Sequence, residues 1–343
     1  MRILTIAALV LLAACVPATL LPTATSRPAA TAPAVTTPAP TSLDALAASF
    51  PRVDGSTSTG PMAVAIAGDI YDIPCEWQES IFGERLFAPA PEHLEEFDAR
   101  LDGRLPSPAG THDSYLNLIG GGTDLILVAR APSESELREA KARGVALDVR
   151  PVALDAFVFI ASVENPVDGL TVAQARAIYT GDITNWKKLG GPDVPIQAYQ
   201  RNEDSGSQEL MEALVMQGAE MIDAPSLILP TMMAPIYALR DDPAGIGYSV
   251  YYYVTFMLPD PDVKLLAVDG VKPTSETIGN RSYPLTAEVY AVVRGDAAAG
   301  SGAVLLRDWL LTGAGRAAIA ASGYVPVPIP GTPAYTPPPG SSR

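Results

Sequence analysis

Three short segments concentrate hydroxyls, glycine and ionisable groups at spacings suited to holding an anion. The first, Asp54-Gly55-Ser56-Thr57-Ser58-Thr59-Gly60-Pro61, runs into an apolar stretch at residues 62–67. Pro61 suits a first helical turn, which sets Ser58 and Thr59 at or beside the N-cap, where free backbone N–H groups and the positive dipole end attract negative charge. The second is Arg201-Asn202-Glu203-Asp204-Ser205-Gly206-Ser207-Gln208. Arg201 supplies a planar fork for an oxyanion, Ser205 and Ser207 supply hydroxyls, and Gly206 lets backbone approach a ligand closely. The third, Gly121-Gly122-Thr123-Asp124, opens an apolar run. An ionised Asp only accepts hydrogen bonds, so in an anion pocket it favours an oxyanion that brings its own proton. Each segment also has a plainer reading: a capped turn, a surface Arg beside a Ser205/Gln208 capping box, and a strand-edge Asp in a Gly-rich turn.

The elements that must position these segments alternate between apolar runs and helical patterns. Residues 125–129 and 152–161 read as continuous apolar strands, the second with Asp155 as its one charge. Ser133/Glu136 and Thr171/Gln174 have capping-box spacing, which predicts helices ending near Gly144 and Gly181. Strands are expected at 195–200, 263–268 and 286–293, and helices at 205–217 and 301–311. This alternation predicts an α/β chain with largely parallel sheets.

The ends differ from the body. A single cation, Arg2, precedes an apolar run at 3–14 that ends in Leu12-Ala13-Ala14-Cys15, which looks like a bacterial lipobox with Cys15 as the lipidated residue. Residues 17–40 contain 19 Ala, Thr or Pro in 24 positions, and 326–339 contain seven prolines in 14, so neither builds a core. The division expected is a signal peptide at 1–14, a tether at 15–42, a first lobe from 43–154 plus 256–327, a second lobe at 155–255 and a Pro-rich tail at 328–343. The chain has 343 residues, 23 Lys plus Arg against 38 Asp plus Glu, and a formal charge of −15, which opposes a broad nucleic-acid footprint and requires any anion to be held locally. Two Cys and two His exclude a disulfide scaffold and offer no zinc-ligand spacing, and no cofactor is expected. With Cys15 lipidated, Cys75 is the remaining thiol.

The chain resembles the Pst-type phosphate-binding proteins of ABC import systems, within the two-lobed (type II) periplasmic-binding-protein class. The resemblance rests on the run from Pro51 to Thr59, on Thr123-Asp124-Leu125-Ile126-Leu127-Val128-Ala129, and on Ile178-Tyr179-Thr180-Gly181-Asp182-Ile183-Thr184-Asn185-Trp186. It continues in the Arg201 segment, in Gly245-Ile246-Gly247-Tyr248-Ser249 and in Asn280-Arg281-Ser282-Tyr283-Pro284-Leu285. It implies a mixed, mostly parallel sheet with flanking helices in each lobe and a ligand in the interlobe cleft. Ser58, Thr59 and their loop would bind phosphate from one lobe, and Asp124 would accept its proton. Arg201, Ser205, Gly206 and Ser207 would form the cradle of the other lobe, with Glu203 where the family commonly pairs this Arg. A further hydroxyl donor is expected from Thr111 or Ser114, with Ser114 preferred. Gly60 replaces an aromatic often found after the first-loop Thr. The partners implied are inorganic phosphate, an ABC permease with its ATPase, and the membrane through a lipid on Cys15, for a monomeric chain outside the cytoplasm.

A Ser-dependent hydrolase is the rival from another class. The general base is its weak point: no G-x-S-x-G elbow or P-loop occurs, His93 lies in a Pro- and Glu-rich stretch, and His112 reads as incidental or hydrogen-bonding. Two further rivals keep the fold: one binds sulfate, molybdate or an organophosphate, and the other senses or scavenges phosphate without transport. Tyr251-Tyr252-Tyr253 and the three Trp read as packing residues.

Overall fold

In the computed structural model, residues 42–80 and 83–328 are described. The signal peptide, Cys15, the tether up to residue 41 and the tail from 329 lie outside the described residues. Along the chain run α1 (Leu43–Ala48), β1 (Val53–Gly55), α2 (Gly60–Tyr71), the hairpin β2 (Cys75–Glu79) and β3 (Arg85–Pro89), and α3 (Leu94–Leu101). Then come α4 (Thr111–Gly120), β4 (Leu125–Val128), α5 (Glu134–Ala142), β5 (Leu147–Ser162), β6 (Gly169–Leu170) and α6 (Val172–Tyr179). β7 (Gln197–Ala198), β8 (Gln200–Arg201), α7 (Gly206–Leu210), β9 (Ile228–Leu229), α8 (Ala234–Arg240) and β10 (Gly245–Val250) follow. The chain closes with β11 (Val263–Leu265), β12 (Ala267–Val268), α9 (Ser275–Gly279), β13 (Thr286–Arg294), α10 (Gly302–Leu310), α11 (Gly313–Ala321) and β14 (Val325–Pro326).

The fold is α/β, and β5 is its spine. Its first part pairs antiparallel with β13, which in turn pairs with β4, while β1 lies parallel to β4. From Phe157 onward β5 exchanges β13 for β10, to which β7 is parallel. One sixteen-residue strand therefore serves two half-sheets. Val152 to Ser162 are buried without interruption, as a strand covered on both faces requires. Asp155 sits just before the exchange. Its Oδ1 accepts the N–H groups of Ala156 (2.8 Å) and Tyr252 (3.0 Å), which ties the outgoing strand to the segment that leaves β10. Tyr252 stacks on Tyr324 with ring centres 3.8 Å apart.

Local signals read from the sequence form as expected where they are local. Both capping boxes, Ser133/Glu136 and Thr171/Gln174, are made. The expected strand at 195–200 instead splits into β7 and β8, which pair with β10 and β9 respectively. The helix expected at 205–217 is α7 continued by a π turn over Met211–Met216. Residues 263–268, assigned from sequence to the first lobe, pair with the second half: β11 with Ile160–Ser162 of β5 and β12 with β6. The cause is the far end of β5, whose backbone needs a partner beyond β10. No helix among the described residues is long and apolar enough to cross a membrane.

Candidate functional site

A cavity of about 600 Å³ lies between the loop after β1, the start of α4 and the loop between β8 and α7. It opens at the carboxyl ends of β1 and β4, the end at which open α/β sheets present ligand-binding loops.

The first wall is fastened by Asp54. Its Oδ1 accepts N–H from Gly55 (2.7 Å) and Ala109 (3.0 Å), and its Oδ2 accepts from Asn117 Nδ2 (2.9 Å). Ser56 Oγ accepts from Ala129 N–H (3.0 Å) and lies 2.7 Å from Thr111 Oγ1, which joins three segments of the wall through two hydroxyls. Gly55 must be glycine, because a Cβ there would stand 2.3 Å from the Leu127 carbonyl oxygen. Ser56, Thr57, Ser58 and Thr111 line the cavity.

Three residues expected in the site are not in it. Thr59 turns its hydroxyl to the carbonyl oxygens of Ser56 (2.9 Å) and Leu127 (2.6 Å), so it shapes the loop instead of lining the cleft. Ser114 is fully buried, with Oγ 2.9 Å from the Gly55 carbonyl and 2.7 Å from that of Gly110; the lining hydroxyl of this helix is Thr111. Asp124 stands at the amino end of β4, whereas the cavity takes Ala129 at the carboxyl end, about 16 Å away at strand rise. There it holds Arg52 through Oδ1 (2.7 Å) and Oδ2 (3.1 Å), and the hydrogen bond from Arg52 keeps its carboxyl below the ordinary range. Asp124, expected to accept the ligand's proton, thus stands outside this cavity in an ion pair with Arg52.

The second wall gathers Arg201, Ser205, Gly206 and Ser207 as expected. Arg201 is only 5% exposed. Its Nε donates to the Leu229 carbonyl (2.8 Å), and its Nη1 donates to Ser207 Oγ (2.9 Å) and meets Met232 Sδ at 3.3 Å. No ion pair to Arg201 forms among the described residues, and Glu203, expected to pair it, is exposed. Burial lowers the Arg201 pKa from its ordinary value. Ser205 accepts from Gln208 N–H (3.1 Å) as N-cap of α7. Ser207 Oγ, already an acceptor from Arg201, keeps its own O–H to donate. Gly206 is the point where the walls meet: a Cβ there would stand 2.5 Å from Thr111 Oγ1.

Sequence reasoning missed Glu84 and Tyr253, which also line the cavity. Tyr253 O–H donates to Glu84 Oε1 (2.9 Å), and burial pushes the Tyr253 hydroxyl well above its usual range. No local signal marks either residue, since one comes from the β2–β3 hairpin and the other from the exit of β10. Thr57 was legible, being part of the same hydroxyl run. Among the described residues no group of three His, Cys, Asp or Glu is placed to hold a metal. In chemical terms the cleft offers one buried cation, several hydroxyls and first-turn N–H groups, an assembly for holding a small oxyanion.

A model of the PBP superfamily domain matches residues 98–311. The phosphate-binding protein PstS of Bacillus subtilis (strain 168) is 32% identical over 145 residues, which is 41% of this chain and 46% of the relative, so the chain matches about half of that relative's length. A solved structure from Clostridium perfringens, described as a phosphate ABC transporter substrate-binding protein with bound phosphate, is 26% identical with a TM-score of 0.59 and covers 80% of this chain and 98% of its own. An ABC-type phosphate transport receptor from Vibrio cholerae shares the fold at 22% identity, TM-score 0.55, over 79% of this chain and 98% of that one. With more than half of its length matched by the domain model, this chain belongs to the PBP superfamily.

Proposed function

We propose that the chain is an extracytoplasmic solute-binding protein that captures inorganic phosphate in this cleft and delivers it to an ABC importer, anchored by a lipid on Cys15. The observation that carries the reading is Arg201, a buried guanidinium at the cleft wall with no carboxylate partner among the described residues. A buried charge left unpaired is costly, and a bound oxyanion supplies the missing partner. The binding set is Thr57, Ser58 and Thr111 from one wall and Arg201, Ser205, Gly206 and Ser207 from the other. Hydrogen bonds to a charged group contribute about 1.5–3 kcal/mol each, so a handful reaches micromolar affinity or better after ordering costs. Directional bonds in a desolvated cleft are compatible with a net charge of −15, because attraction does not depend on the overall field. The contact of Gly206 with Thr111 fits two lobes closing by a hinge around the ligand, a motion periplasmic binding proteins use. The cleft hydroxyls bond to one another, to Arg201 and to backbone, which favours binding over nucleophilic catalysis.

Phosphate is favoured by the Bacillus and Clostridium relatives. The lipid anchor rests on the Cys15 motif, and delivery to a permease rests on the resemblance to import proteins. A second reading, a fully ionised oxyanion such as sulfate, gains weight from one observation: Asp124, the expected proton acceptor, is outside the cleft. Calorimetric titration of the purified protein with phosphate and then sulfate decides between them. Phosphate binding at micromolar or lower concentration with weak sulfate binding is expected; tight sulfate binding with phosphate ignored overturns the phosphate reading.

A further inference from the structure

The cleft also contains an imidazole whose tautomer is dictated by its surroundings. His112 follows Thr111 in the first turn of α4, lines the cavity, and is a quarter exposed. Its Nδ1 lies 3.0 Å from Oε1 of Glu136, which is fully buried. That carboxylate is already held by both Nη atoms of Arg130 (2.8 and 2.7 Å) and by the Ser133 N–H (2.8 Å). An ionised carboxylate can only accept, so Nδ1 carries the proton. Nε2 sits on the other edge of the ring, without a protein partner among the described residues. It is an acceptor while the ring is neutral and a donor once the ring is protonated.

We infer that His112 reads the protonation state of the bound oxyanion, an inference that rests on the phosphate reading above. As a neutral ring it accepts the P–O–H of hydrogen phosphate through Nε2; as imidazolium it donates to a bare oxygen. Sulfate has no proton to offer, so a neutral His112 sets a lone pair against its oxygen and rejects it. The preference for phosphate over sulfate is therefore larger with a neutral His112 than with its imidazolium form. The charged groups around this ring are Glu136 and Arg130 on its inner side, Asp113 beside it, Glu203 and Asp204 of the opposite loop, Glu84 of the hairpin, and Glu209 of α7, whose carboxyl senses both Arg130 and Glu136.

The test uses His112→Asn, which retains an N–H for Glu136 and lacks Nε2. Titrations with inorganic phosphate and with sulfate at pH 6 and 8 should show a preference for phosphate in the parent protein. At pH 8 that preference should be about tenfold smaller in the variant, the value of one hydrogen bond. Long-range ¹H–¹⁵N imidazole spectra, simple for a chain with two histidines, should show the Nδ1–H tautomer and an Nε2 shift on saturation with phosphate. An unchanged preference in the variant, or His112 resonances that do not move with phosphate, overturns the inference. So does a preference lost instead in Glu84→Gln, which would make that carboxylate the reader. Absence of phosphate binding in the parent protein would fail the phosphate reading itself, a separate result.

Discussion

Two arginines, Arg130 and Arg201, are each 5% exposed, yet their surroundings differ in one respect. Arg130 is gripped by both oxygens of the fully buried Glu136 and lies 5.6 Å from the centre of the Tyr115 ring. Burial works against its charge, but the hydrogen bonds and charge of Glu136 outweigh this and its pKa is raised. Arg201 has a carbonyl, a serine hydroxyl, the Asn202 amide oxygen and a thioether for partners, all uncharged, and burial lowers its pKa. The pair teaches that burial alone does not mark a binding residue. What marks it is burial at the cavity wall with the counter-charge missing, a cost that a bound anion relieves.

The comparison breaks most visibly at Glu136. Glu136→Gln leaves Arg130 buried and unpaired, and urea unfolding should show a loss of about 3–5 kcal/mol; a variant as stable as the parent would mean that Arg130 tolerates isolation and that the missing partner of Arg201 signifies little. Asp155 offers the opposite sign of buried charge. Burial pushes its carboxyl up to about 7, and its Oδ2 has no partner. A carboxyl whose folded pKa is raised contributes stability that is fully present below its unfolded pKa near 4 and is lost as pH rises to 7. Asp155→Asn should therefore gain stability relative to the parent between pH 4 and 8, by about 4 kcal/mol, and a difference in unfolding free energy that is flat with pH would contradict this. Arg201→Ala should weaken phosphate binding by about a hundredfold, since at least one charge-assisted bond and the fixed charge are lost, while the melting temperature falls little or rises. Calorimetry and a thermal melt on the same sample check both halves.

Smaller effects sharpen the geometry. Gly206→Ala sets a methyl against Thr111 Oγ1 and should cost about tenfold in phosphate affinity by resisting closure; Gly206→Ala combined with Thr111→Ser removes only a methyl from the opposing side chain and should recover little, because the hydroxyl is the clashing atom. Asp124→Ala is expected to leave phosphate affinity unchanged and to lower stability by under about 1 kcal/mol, as befits an exposed ion pair with Arg52. A large loss of binding in this variant would return Asp124 to the cleft.

Much of the scaffold was legible because its signals are local. The Ser133/Glu136 and Thr171/Gln174 boxes act within one helical turn, and the apolar runs of β4 and β5 announce strands covered on both faces. The Arg201-to-Ser207 loop was legible for the same reason: a strand end, a capping Ser and a glycine stand together in the chain. Thr59, Ser114 and Asp124 stand outside the cavity lining because residue type identifies a hydroxyl or a carboxylate but not the direction it faces. Thr59 and Ser114 were each taken up by a nearby carbonyl, and Asp124 by Arg52.

The α/β alternation, the caps, the apolar spine and the need to hold any anion by local groups in an acidic chain can all be read from residue order and composition. Each of these depends on neighbours within a few residues or on composition. Packing in three dimensions sets the cleft at the Ala129 end of β4 and not at the Asp124 end, brings Glu84 and Tyr253 to it, and lets Glu136 neutralise one of two buried arginines while the other faces the cavity. Those outcomes depend on parallel strand direction and on contacts between residues distant in the chain, such as Tyr253 with Glu84, that spacing along the sequence does not encode.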